Sequence, residues 1–114
     1  MCNLMMATPE VFGRKLDLIK GYCAQVGRDI RDIEVTKIDR VCLAPSAEAA
    51  DAKWEARGGR LPEGYRSLVG SPEQAIERLQ GFAKQGLDTV FISVGTDDLE
   101  SLELFAKDVI PALN

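Results

Sequence analysis

One phrase is written twice in this 114-residue chain, at Thr8-Pro9-Glu10 and at Ser71-Pro72-Glu73. Each copy places a hydroxyl residue where a helix N-cap belongs, proline at the first helical position and glutamate at the second. That order satisfies free backbone N–H groups and complements the helix dipole. Each helical stretch closes at a glycine followed within two residues by aspartate, Gly27-Arg28-Asp29 and Gly86-Leu87-Asp88. The chain then enters an apolar β-like run, Ile33 to Leu43 and Val90 to Val94. Helix then strand, repeated, is the pattern of a parallel α/β sheet, because neighbouring parallel strands need a crossover between them.

The 46% hydrophobic and 28% charged content fits one globular domain spanning 1–114. No apolar run approaches the roughly 20 residues of a membrane helix, and the apolar start has no basic flank, so a cytoplasmic protein without membrane association is expected. Cys2, Cys23 and Cys42 are odd in number and lack CxxC spacing. They read as small buried thiols rather than a disulfide framework or a zinc site. A net charge of −4, with Lys and Arg interspersed among Asp and Glu, argues against nucleic acid as a partner. The chain contains no histidine, which excludes Ser-His-Asp and Cys-His catalysis and His-ligated zinc from its own residues.

Along the chain, Met1 to Met6 reads as a strand stub with Asn3 near its carboxyl end. Phe12, Leu16, Ile19, Cys23 and Val26 form the apolar stripe of a helix from Pro9 to Val26 with Gly27 as its cap. A strand follows from Ile33 to Ala44, then a weak alanine-rich helix from Ala47 to Arg57. The stretch 45–68 is an insertion or loop region, with Gly58 and Gly59 opening its irregular part. Ser71 and Gln74 form a capping-box pattern ahead of a helix with the stripe Ile76, Leu79, Phe82 and Ala83. Thr89 to Val94 has no polar alternate until Ser93 and reads as a central strand covered on both faces. A last helix directs Leu99, Leu102, Phe105 and Val109 inward and ends at Pro111. Three strands leave sheet edges bare, so the expectation is a missing partner.

The ordered series Val69-Gly70-Ser71-Pro72-Glu73-Gln74, Gly86-Leu87-Asp88-Thr89-Val90-Phe91-Ile92, Leu102-Glu103-Leu104-Phe105-Ala106 and Val109-Ile110-Pro111-Ala112-Leu113 resembles the C-terminal third of the bacterial luciferase-like monooxygenases. Cys2-Asn3-Leu4, Thr8-Pro9-Glu10 and Gly27-Arg28-Asp29 extend that resemblance over nearly the whole chain. It implies a partial (β/α)8 barrel made of a stub of the sixth strand and the seventh and eighth strands with their helices. It also implies a cofactor, FMN or the deazaflavin coenzyme F-420, a small organic substrate, and an oxidoreductase or monooxygenase whose first five strands lie outside this segment, so that the segment alone is not expected to be active.

Active sites of such barrels gather at the carboxyl ends of the strands. The resemblance implies that Arg66 pairs with the cofactor phosphate through its charged fork, with Arg60 as the alternative. The helix-opening N–H groups at Gly70 and Ser71 form a second anion-binding candidate, set against a plain N-cap. Asn3 and Met5 are candidates for facing cofactor or substrate, and Gly58-Gly59 for a lid or a flexible linker. Trp54 reads as a packing residue. Asp97, Asp98 and Glu100 read as first-turn acids that need no metal. A rival reading is a non-catalytic α/β module, derived from the same barrel, that self-associates through open sheet edges; homo-oligomers are expected under either reading.

Overall fold

The computed structural model describes residues 1–4, 8–59 and 68–113. The elements are β1 (Cys2–Asn3), α1 (Pro9–Gln25), a 3-10 turn (Ile30–Asp32), β2 (Val35–Leu43), α2 (Ala47–Ala56), β3 (Leu68–Gly70), α3 (Pro72–Gln85) and β4 (Thr89–Val94). A final helical segment comprises α4 (Leu99–Leu104), a π turn (Phe105–Val109) and α5 (Ile110–Leu113).

Both repeated phrases fold as written. The Thr8 hydroxyl accepts from the Val11 N–H, and at Ser71 the box is reciprocal: Gln74 N–H donates to the serine hydroxyl while the Gln74 side chain accepts from the Ser71 N–H. Both helices also end alike. Arg28 N–H reaches Cys23 C=O at 2.8 Å across Gly27, and Leu87 N–H reaches Phe82 C=O at 3.1 Å across Gly86. This is the Schellman closure, and both glycines take the positive φ it requires, +74° and +111°. Gly27 stands one residue beyond the cap, which is Val26.

All described strand pairs are parallel and all involve β2. β4 runs along Thr36 to Val41 on one edge, whereas β1 pairs at Val35–Thr36 and β3 at Val41–Leu43. Sequence periodicity did not reveal β3, because three residues are too few to show alternation. Nor is β4 central. Among the described residues it pairs only with β2, and Phe91 is 48% exposed, so one of its faces is open.

The core occupies the other face of the sheet, where the odd-numbered residues of β2 point. Phe12, Leu16, Val35 and Phe82 form one cluster, in which the two phenyl rings meet edge to face at 5.4 Å and join α1 to α3. Val41, Leu43, Leu68, Ala75, Leu79, Phe105 and Val109 form the other. Lys37 and Asp39 lie between the two clusters, paired with each other and nearly sealed from solvent, with the Lys37 ammonium 4.6 Å from the centre of the Phe82 ring.

Several stripe residues differ from expectation. Val26, Leu99 and Leu102 face solvent, Ala83 is exposed, and Ala75 and Ser101 are buried in their place. In the last helix the register follows Asp98 and Ser101, whose side chains hydrogen-bond inward, and the π turn then rotates the remainder. That turn ends two residues before Pro111, which lacks the N–H for an α-type bond, and the helix continues through the proline to Leu113. No described helix is long and apolar enough to cross a membrane.

Replacing Ser71 by alanine removes the hydroxyl that accepts from the Gln74 N–H, leaves the backbone N–H of residue 71 to the Gln74 side chain, and is expected to cost about 1 kcal/mol. The urea midpoint should fall with an unchanged denaturant slope; an unchanged midpoint would show that the serine hydroxyl adds nothing.

Candidate functional site

Because the strands are parallel, the carboxyl ends of β2, β3 and β4 lie together, with Leu43 opposite Gly70 and Val41 opposite Val94. β1 ends elsewhere. Asn3 pairs with Thr36, seven positions earlier on β2 than Leu43, about 23 Å at roughly 3.3 Å per residue. Its side-chain oxygen accepts from the Thr36 hydroxyl at 3.1 Å. The fold therefore does not bring Asn3 to Gly70 and Ser71. The Ser71 N–H donates to the Gln74 side chain at 2.9 Å, so this proposed anion donor already has an acceptor. Gly70 supports the same contact, since a Cβ there would meet the Gln74 side-chain oxygen at 2.2 Å. Met5, Arg60 and Arg66 lie outside the described residues.

The structure does assemble a cleft of about 460 Å³ at the ends of β2 and β4. Arg40, Cys42 and Ser93 line it from the strands, Trp54, Arg57, Gly58 and Gly59 from the end of α2, and Gly95 from the turn after β4. Two glycines give it its shape. A Cβ on Gly59 would lie 2.2 Å from the Trp54 ring, and one on Gly95 would lie 2.3 Å from the Arg57 guanidinium. Trp54 is 8% exposed, and its indole N–H is buried without a hydrogen-bond acceptor among the described residues. A buried orphan donor is costly in a folded protein and marks a place where a ligand acceptor would be favourable. The packing role expected of Trp54 is present, and its ring also forms a wall of the cleft.

A polar hub behind the cleft fixes Arg57. Asp98 caps α4 by accepting from the Ser101 N–H at 3.1 Å, and it receives Lys53 at 2.9 Å, Arg57 at 3.1 Å and the Ser101 hydroxyl at 2.5 Å. Lys53 also donates to the Leu43 C=O at 2.5 Å and to Glu100 at 2.9 Å, and the Ser101 oxygen accepts from the Leu43 N–H at 2.8 Å. The last residue of β2 thus has both backbone groups satisfied by side chains from α2 and α4. Burial alone would raise the Asp98 carboxyl, but the Ser101 and Lys53 hydrogen bonds outweigh it and hold the group below the usual aspartate value. For Lys53, burial acts downward, and the bonds to Glu100 and Asp98 reverse it to a net rise. The expectation that Asp98 would serve the helix dipole omitted its larger role as counterion to two cations. Among the described residues there is no group of three or more metal-ligating side chains.

Sequence reading missed Arg40, Arg57 and the Asp98 hub. The available signal was weak: Lys53 and Arg57 are four apart on one helix face, and Asp98 follows the next strand end, yet nothing local links the two.

Comparison with known proteins matches no family model and no curated protein sequence. Solved structures do match. The coenzyme F-420-dependent tetrahydromethanopterin reductase from Methanopyrus kandleri superposes with a TM-score of 0.69 at 14% identity, over 98% of this chain and 45% of that one. An F-420-dependent secondary alcohol dehydrogenase, solved with an F-420–acetone adduct, gives 0.75 at 14% identity over 98% of this chain and 42% of the other. The likeness establishes the fold, the parallel strand-and-helix arrangement of a partial (β/α)8 barrel, and the chain spans less than half the length of both structures.

Removing the Asp98 carboxylate leaves two cations facing a buried gap, so Asp98→Ala should cost on the order of 2–3 kcal/mol in chemical denaturation. Because the folded-state pKa is depressed, this contribution is complete above the unfolded aspartate value and is lost as pH falls through the lower folded value. Asp98→Asn should accordingly flatten the acid side of the stability profile, and an unaltered profile would count against the hub. Gly59→Ala should displace Trp54, the single tryptophan, and shift its emission; identical spectra would refute the close packing.

Proposed function

We propose that this chain is the carboxyl-terminal segment of a cytoplasmic oxidoreductase of the luciferase-like barrel type that uses deazaflavin coenzyme F-420, or in its place FMN, on a small organic substrate. The observation that carries this reading is that 98% of the chain follows the fold of two F-420-dependent oxidoreductases, with a cleft at the strand ends. Active sites of (β/α)8 enzymes lie at that end. The donor set fits the group: Arg57 spends one nitrogen on Asp98, Arg40 stands on the open sheet face, and the orphan indole N–H of Trp54 awaits an acceptor. Arginine forks and an aromatic wall suit a ligand that combines anionic groups with a flat ring system.

The bound cofactor supplies the hydride chemistry and, if it is FMN, activation of O₂ in a monooxygenase. This chain's residues would neutralise anionic groups through Arg40 and Arg57, set the wall with Trp54, and exclude water through the turn at Gly58 and Gly59. Arg66 remains a phosphate ligand on the strength of the resemblance, and Gly70 and Ser71 would join it only if the Gln74 side chain yields the Ser71 amide. The rest of the ring site belongs to the remaining barrel wall.

A second reading, a self-associating module, is favoured by one observation. Ile38 and Phe91, aligned by register on the open face, are 42% and 48% exposed. Such a face calls for a cover, and a homo-oligomer would provide one.

Titration with F-420 and with FMN, followed by quenching of Trp54 emission, separates the readings. Saturable quenching by F-420 that weakens about tenfold in Arg40→Gln, the loss of roughly 1.4 kcal/mol of charge-assisted bonding, is expected for the cofactor site. Arg66→Ala should weaken binding as well; unchanged affinity removes Arg66. No quenching by either compound, together with a defined oligomer in light scattering, favours the module.

A further inference from the structure

A second depression, of about 720 Å³, runs along α3 between the starts of α1 and α2 and shares no lining residue with the cleft at the strand ends. Arg78, Lys84, Gln74 and Gln80 line it from α3, and the start of α1 closes one side at Thr8 and Glu10. Arg78 is its unusual member. The guanidinium atoms Nε and Nη2 are closed off from water, yet they have no hydrogen-bond acceptor among the described residues. Those two atoms form the side-on fork that grips a carboxylate or phosphate with two parallel bonds; Arg31 uses the same pair on Asp29 in this chain, Nε to Oδ1 at 3.1 Å and Nη2 to Oδ2 at 2.7 Å.

The charge balance nearby points the same way. Arg78 acts electrostatically on the Lys37 ammonium, which is 1% exposed and is pushed down by burial against the opposing pull of Asp39. Two cations, Lys37 and Arg78, thus share this interior with the Asp39 carboxylate. Arg78 also lowers the exposed Glu10 carboxyl, after the stronger effects of that residue's own backbone N–H and of Thr8, but no ion pair joins them. Arg78 as a whole is half-buried, but its Nε and Nη2 edge is closed off and unused, and an anion meeting that edge would supply the bonds it lacks. Gln74, Glu77, Gln80 and Lys84 line the groove with Arg78, and they are exposed long side chains of the kind that change rotamer on the picosecond to nanosecond scale.

We infer that the groove between α3 and the start of α1 is a binding site for a small oxyanion, a carboxylate or phosphate group, gripped by the Nε and Nη2 atoms of Arg78. Glu10, Asp51 and Glu77 also line the groove. They restrict the ligand to one with a single compact anionic group and disfavour polyanions such as nucleic acid. The site is separate from the strand-end cleft and stands whether or not the chain binds a deazaflavin.

The test is a nitrogen-15 NMR titration of the whole chain with inorganic phosphate, and separately with acetate, at constant ionic strength, observing the arginine Nε–H signals. A saturable shift of the Arg78 Nε–H, with matching shifts at the Gly81 and Gln74 amides, is expected; chloride should produce none. The response to acetate or to phosphate identifies which oxyanion the fork accepts. In Arg78→Gln the shifts at Gly81 and Gln74 should be lost. An Arg78 signal unmoved by both anions in the wild-type chain overturns the inference without recourse to the variant, and equal movement with chloride reduces it to non-specific screening.

Discussion

Everything in this fold is registered on β2, the strand that carries hydrogen bonds along both edges. A strand in that position fixes the direction of its neighbours and the ends at which their crossovers must begin. With β4 on one edge, and β1 and β3 sharing the other, the helix starts at Ser71 and Asp98 are drawn to the end of the sheet where β2 stops at Leu43. The side chains that then satisfy Leu43, Lys53 and Ser101, come from two helices distant in sequence. The Asp98 hub is therefore both a structural lock on the strand end and the mount for Arg57 in the cleft.

The two faces of β2 have opposite characters, and this asymmetry explains both candidate binding regions. Its odd positions enter the helix-covered core, which requires Lys37 and Asp39 to be buried with Val35, Val41 and Leu43. Its even positions, Ile38 and Arg40, lie on the open face and lead to the cleft. A purely apolar alternative at 37 and 39 would merge the two hydrophobic clusters into one. The chain instead keeps a charged layer between them, at a desolvation cost that the ion pair and the Phe82 ring offset only in part, since burial still holds the Lys37 ammonium below its ordinary value. Arg78 extends that layer toward the groove.

The open face is also where the fold and the proposed activity meet. In a closed barrel the interior face of each strand is covered by the other strands, and side chains fill the space. Here Phe91 and Ile38 present that surface uncovered, matching the fact that each similar structure is more than twice the length aligned. Arg40 lies on this face and lines the cleft, so under the proposed reading a cover over the face and a ligand in the cleft would be thermodynamically linked.

Local chemistry was legible in the amino-acid order. The caps at Thr8 and Ser71, the closures at Gly27 and Gly86 and the extents of α1 and α3 all follow from interactions spanning at most five residues, and such contacts are written contiguously; the parallel character of the sheet followed from the order of helix and strand, because parallel neighbours need a crossover. What the order could not show was whatever depended on separation: the three-residue strand at Leu68, the edge position of β4, the outward turn of Leu99 and Leu102, and the distance between Asn3 and Ser71. The cleft is of this second kind. Arg40, Arg57 and Ser93 come from three segments, and only the pairing of β2 with β4 and the pull of Asp98 on α2 bring them together. Propensity and capping energies act within a helical turn or two, whereas register, burial and ion pairing are settled by which surfaces meet.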